Sequence, residues 1–119
     1  MRLARHGRPG HEKPIGSGSD GVWRDLSSLT NDIDAALLST GLGEVRLALV
    51  NGALPVVELP IKRFGPPLAS IGKIICIGLN YVDHARETGA ELPAEPVMFL
   101  KTPDTVVGAN DEVDRKSVV

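Results

Sequence analysis

The 119-residue sequence is poor in aromatic side chains, with one Trp, one Tyr and two Phe, so any core it builds must be mostly aliphatic. A single cysteine, Cys76, excludes an internal disulfide and suits a reducing cytoplasm. Cys76 lies in an apolar run and reads as a small buried hydrophobe, since no His or Asn arrangement marks it as a nucleophile. Blocks of like charge are also missing. The formal net charge is −2 and both signs are scattered, so no basic face exists to neutralise a phosphate backbone, and nucleic-acid binding is not expected. No segment approaches the ~20 apolar residues needed to cross a bilayer. The basic opening Met1-Arg2-Leu3-Ala4-Arg5 is not followed by an apolar stretch of signal length. The expectation is a soluble cytoplasmic protein with no membrane partner.

What is present fits a globular chain. An apolar fraction of 42% is ordinary, and the length allows a small domain plus part of a second. Arg8 to Gly21 is crowded with Gly, Pro and Ser and reads as loops or tight turns, with Ser19-Asp20-Gly21 as a turn. Val22 to Leu26 alternates as a half-buried strand does. Ser28 or Thr30 is placed to cap a short helix over Asp32 to Leu38, with Gly41 and Gly43 ending it. A second short helix or turn is expected around Val45 to Val50. Leu54 to Leu59 reads as a strand, followed by a linker that Gly65-Pro66-Pro67 breaks. Residues 1–70 thus form one small strand-rich domain, and a boundary falls near Ile71. Nothing in 1–70 converges polar groups on a pocket.

Residues 71–119 carry the sharper signals. Lys73 to Ile77 is a short β-branched apolar run of the kind that forms a strand buried on both faces. Asn80 is placed to cap a helix from Tyr81 to about Thr88, which Gly89 stops. Ala90 to Pro96 is a loop, Val97 to Leu100 a second buried strand, and Thr105 to Val107 a third strand. The fold class is α+β.

On the expected helix, His84 and Glu87 are three residues apart and share a face. A carboxylate beside an imidazole raises its basicity and orients its ring, so that it takes a proton from water near neutral pH. The helix follows a strand at its carboxyl end, where sites in such sheets collect. A His and a Glu at this spacing more often form a solvated surface pair, so spacing alone leaves the role open. Asp83 and Arg86 flank them and face solvent. Lys101 follows an apolar strand and either stabilises a developing negative charge at a pocket mouth or ends the strand in water. His6 and His11 lack partners at metal-ligand spacing. Asp104, Asp111, Glu112 and Asp114 lack the spacing of a calcium loop.

Several of these pieces occur together in one family. Lys73 through Glu87, with its Gly-x-Asn-Tyr-x-x-His-x-x-Glu pattern, resembles the opening of the fumarylacetoacetate hydrolase catalytic domain. Pro93 to Lys101, with Pro-x-x-Phe-x-Lys, resembles the segment that follows it. Gly10-His11-Glu12-Lys13-Pro14 and Arg24-Asp25-Leu26-Ser27 are similar to the small amino-terminal domain of bacterial members. The subgroup it resembles is that of 2,4-diketo-3-deoxy-sugar-acid hydrolases and ureidoglycolate lyase-like proteins. The resemblance implies a mixed β-roll beginning within 71–119, and a small-molecule 2-oxo acid of acylpyruvate type as substrate. It also implies a divalent metal, Mg or Mn, and commonly a homodimer. The implied reaction is hydrolysis of a carbon–carbon bond, with decarboxylation or isomerisation as variants. His84 and Glu87 correspond to the pair that activates water. Asn80, Tyr81 and Lys101, from the same patterns, are the candidate substrate-binding residues. The family's metal ligands are a Glu-x-Glu pair and a later Asp. No Glu-x-Glu occurs in these 119 residues, so no metal ligand is assigned. The alternative expectation is a truncated, non-catalytic fragment that needs a longer chain.

Overall fold

The computed structural model describes residues 1–113 and contains two antiparallel sheets and few helices. It has two compact units, one formed by Met1–Ser70 and joined by 106–113, the other by Ile71–Thr105. The position of Asp114 lies outside the described residues.

In the first unit, β1 (Arg2–His6), β2 (Lys13–Ser17) and β3 (Trp23–Asp25) form a sheet in the order β1-β2-β3. Arg2 pairs with Ser17 at one end of the first ladder and His6 with Lys13 at the other. The central strand β2 occupies part of the stretch that composition assigns to loops, which corrects that reading. Pro14, Ile15, Gly16 and Ser17 are all buried, and burial overrides their weak strand propensity. Pro14 is tolerated because no ladder bond needs its missing N–H. Opposite it, the Arg5 carbonyl accepts from the Gly65 amide at 2.8 Å, and the Pro14 carbonyl accepts from Leu26 at 3.0 Å. Gly16 lets the core close, since a Cβ there would meet the Leu26 and Leu49 side chains at 3.2 Å.

Helix α1 (Leu42–Asn51) is entered through a π-helical turn, Leu37–Gly41. The cap is Asp34, whose Oδ1 accepts from the Leu37 amide at 2.9 Å, and neither Ser28 nor Thr30 fills that role. Gly41 and Gly43 do not end the helix. A helical glycine costs about 1 kcal/mol relative to alanine, and burial of Leu37, Val45 and Leu49 outweighs that. The stop is Gly52, at φ 63, so the expected second helix is the continuation of the first. The aliphatic core is Leu26, Ile33, Leu37, Val45, Leu49 and Leu54. The 54–59 segment adds a single bridge, Val56 to Arg24, in place of a full strand. Pro55 and Pro60 flank it, and neither has an amide to extend a ladder.

Five charged side chains from distant parts of the chain form a ladder in this unit. Arg5 donates Nε and Nη2 to the two Asp32 carboxylate oxygens at 2.7 and 2.9 Å. Its Nη2 is also 3.7 Å from Glu12. Arg63 donates to Glu12 Oε1 at 2.9 Å and grips Asp111 with Nε and Nη2 at 2.8 and 2.6 Å. Burial alone would push the Glu12 and Asp32 carboxyls up. The hydrogen bonds and charge of Arg63 and Arg5 outweigh it and hold both below the usual carboxylate range. The Arg63 hydrogen bond lowers Asp111 in the same direction.

Carboxyls depressed in the folded state stabilise it above their unfolded values of about 4, and that contribution is lost as pH falls through the lower folded values. The melting temperature is therefore expected to be flat from pH 7 to about 5 and to fall steeply below about 4. Thermal melts across this range check it. A midpoint unchanged down to pH 3 would rule out the ladder as the acid-sensitive element.

Candidate active site

The second unit is a ribbon of β4 (Ile74–Gly78) and β5 (Val97–Lys101), with α2 (Val82–Glu87) between them. The strands are antiparallel, with Ile74 opposite Lys101 and Gly78 opposite Val97. Both lie where the apolar runs place them, but they are not buried on both faces. Ile75, Ile77, Met98 and Leu100 share one face and are 61%, 44%, 70% and 73% exposed. Among the described residues the two strands have only each other as sheet partners, and the face of Ile75, Ile77, Met98 and Leu100 is left open to solvent.

At the carboxyl end of β4 the chain reverses through Leu79, a non-glycine residue at φ 52. Left-handed backbone at such a residue costs roughly 1–2 kcal/mol and is found more often at functional turns than elsewhere. Asn80 does not cap α2. The cap position is Tyr81, extended at φ −116 and ψ 136, with no side-chain hydrogen bond. Gly89 stops the helix at φ 67. Its amide donates to Arg86 and the Ala90 amide donates to Ala85, which satisfies two end carbonyls. The third expected strand is absent. The Thr105 amide and hydroxyl both donate to the Thr102 carbonyl, closing a 3-10 turn over Pro103–Thr105 before any ladder can start.

Ala85 is the buried residue of α2, at 1% exposure, while His84 and Glu87 are both exposed. Three-residue spacing makes them neighbours on the helix surface, though among the described residues no ion pair joins them. A groove of about 520 Å³ opens beside the turn, lined by 77–80 and 92–96. Asn80 lines it; Tyr81, His84, Glu87 and Lys101 do not. Lys101 lies at the other end of the ribbon, four residue steps from Val97, a span of roughly 13 Å at ~3.3 Å per residue. The structure thus puts Asn80 in the groove at one end of the ribbon and His84 and Glu87 on the exposed surface of α2, and it leaves Lys101 at the ribbon's other end. Glu95, which sequence reading leaves within a loop, is the other polar side chain of the groove. Its signal in the sequence is faint, a carboxylate beside Pro96 in a loop that also carries Glu91.

No group of three His, Cys, Asp or Glu side chains able to hold a metal ion occurs among the described residues. These residues do not fit a divalent cation. No helix among the described residues is long and apolar enough to cross a membrane.

Residues 73–119 match the family model described as Fumarylacetoacetate (FAA) hydrolase C-terminal. The chain is 41% identical over 115 residues to a 2,4-didehydro-3-deoxy-L-rhamnonate hydrolase of Sphingomonas sp., covering 95% of this chain and 38% of that protein. It is 44% identical over 115 residues to a Burkholderia multivorans protein and 43% to one of Burkholderia lata, both designated hydrolases by name only. Each of those alignments covers 96% of this chain and 40% of the relative. The chain therefore spans about two fifths of the length of the curated relatives it matches.

Proposed function

This chain belongs to the fumarylacetoacetate hydrolase family, and we propose on that footing that it contributes to hydrolysis of a carbon–carbon bond in a 2-oxo acid of acylpyruvate type. The substrate class we favour is a 2,4-dioxo-3-deoxy sugar acid, by analogy with the Sphingomonas relative. The observation that carries the proposal is the placement of His84 and Glu87 on the exposed side of α2, directly after the strained turn that ends β4. Asn80 lines the groove at that same turn.

The chemistry runs through a base and a water molecule. His84, oriented by Glu87, takes a proton from water as the oxygen attacks the C4 carbonyl. The C3–C4 bond then breaks, releasing a carboxylic acid from the C4 side and a pyruvate enolate from C3. The imidazolium returns its proton to C3 and pyruvate leaves. Asn80 and Tyr81 hold the substrate at this end of the ribbon. A Lys101 role requires the substrate, or another part of the assembled protein, to reach the ribbon's far end. In the complete enzyme we place this segment at the start of a mixed β-roll, with 1–70 as the small amino-terminal domain. A magnesium or manganese ion would supply Lewis acidity there. The working unit would be a cytoplasmic homodimer.

A second reading has its own support. The exposed ribbon and the absence of a metal cluster among the described residues fit a segment that is inert by itself. One paired assay separates the two. With added magnesium and an acylpyruvate, the intact protein is expected to release pyruvate, and the isolated 119-residue chain to release none. Absence of pyruvate from the intact protein would defeat the proposed function. Turnover or tight stoichiometric magnesium binding by the isolated chain would defeat the second reading.

A further inference from the structure

A cleft in the first unit has no part in the reaction proposed above. It measures about 500 Å³ and lies between 6–9 and 58–63, inside the range of small-molecule sites, ~300–1,000 Å³. Residue spacing alone shows no convergence of polar groups there, because its walls are about fifty residues apart in sequence.

Those walls are fixed to each other. The Gly7 amide donates to the Arg63 carbonyl at 3.2 Å, and Arg63 Nη1 donates back to the Gly7 carbonyl at 2.8 Å. His6 and Phe64 form a β-bridge beside them. Arg63 is in turn gripped by Glu12 and Asp111, so its guanidinium is committed to the frame. Gly7 itself is at φ 125, and a Cβ there would meet the His11 carbonyl oxygen at 3.1 Å. A preformed cleft of this kind loses little ordering entropy when a ligand enters.

Its chemistry is specific. Pro9 and Leu59 line it with apolar surface, and Leu59 is 69% exposed although apolar. Arg8 and Lys62 are exposed and make no ion pair among the described residues. His6 is half-buried and adds an imidazole to the same lining. One carboxylate, Glu58, also lines the cleft, and it opposes any ligand with a second negative charge. We propose that this cleft binds a small organic monocarboxylate, its apolar body against Leu59 and Pro9 and its carboxylate between Arg8 and Lys62. The planar guanidinium of Arg8 suits a bidentate carboxylate contact, and Lys62 adds a mobile point charge.

The test is ligand-observed fluorine NMR on the intact protein, using 4-fluorobenzoate and its neutral counterpart 4-fluorobenzamide. Saturable binding of the benzoate is expected, at least tenfold tighter than the amide. The double variant Arg8→Ala/Lys62→Ala is expected to weaken benzoate binding at least tenfold and leave the amide unchanged. Glu58→Gln is expected to strengthen it. Equal affinity for the two probes on the unmodified protein would overturn the assignment without any variant having to fold. Full retention of benzoate binding by the double variant would overturn it independently.

Discussion

Replacing His84 by alanine in the intact protein is expected to lower kcat by roughly a hundred- to ten-thousandfold, the usual contribution of a positioned general base. KM should change little, because in the proposed mechanism the imidazole acts on water in the transition state and does not hold the substrate. The substitution is a clean test on structural grounds. His84 is exposed, α2 is held by buried Ala85, and its end is closed by backbone bonds around Gly89. None of these depends on the imidazole, so the circular dichroism spectrum should be unaltered. Glu87→Gln sharpens the result. If the carboxylate orients the imidazole toward water, its removal lowers kcat and leaves KM in place. A merely structural Glu87 would change stability and leave kcat in place. Unchanged turnover in His84→Ala would remove it from the mechanism.

The residues of that test are legible in the sequence because their signal is local. One apolar run, one glycine stop and two patterned segments place β4, α2 and β5 with boundaries close to those observed. Wherever tertiary burial decides, local reading fails. Pro14 and Gly16 argue against a strand, yet β2 is the centre of its sheet because its residues are buried between neighbours. Gly41 and Gly43 argue for a helix stop, yet the helix continues because Leu37, Val45 and Leu49 need one apolar face. The apolar strands of the ribbon are correctly strands, but burial on two faces depends on layers that neither strand supplies. Antiparallel register, invisible in the sequence, is what sends Lys101 to the end away from Asn80. The charge ladder is the clearest omission. Its members stand at 5, 12, 32, 63 and 111, and no spacing rule links positions so far apart.

That ladder carries the second large expectation. Arg5→Met is expected to destabilise the first unit by about 2–3 kcal/mol, measured as a lower urea midpoint with an unchanged slope. Methionine retains most of the side chain's bulk, so the loss reflects charge and hydrogen bonds more than packing. Three contacts disappear together: the paired bonds to Asp32, the bond from Nη1 to the Pro66 carbonyl, and the approach to Glu12. The Glu12 side chain is only 6% exposed, so it keeps a poorly solvated negative charge with one guanidinium in place of two. Asp32 is 24% exposed and regains some water, which holds the figure toward the lower end for a broken buried pair. Arg5→Lys should lose about half as much, since it keeps the charge and forfeits the planar two-pronged grip on Asp32. Adding Asp32→Asn to Arg5→Met should recover part of the loss, because the stranded carboxylate is then neutral. If Arg5→Met stays within about 0.5 kcal/mol of the parent, a range typical of surface substitutions, the ladder is a solvated surface array. If the double variant is no better than the single, the loss lies in the Pro66 and Glu12 contacts and not in the Arg5–Asp32 pair.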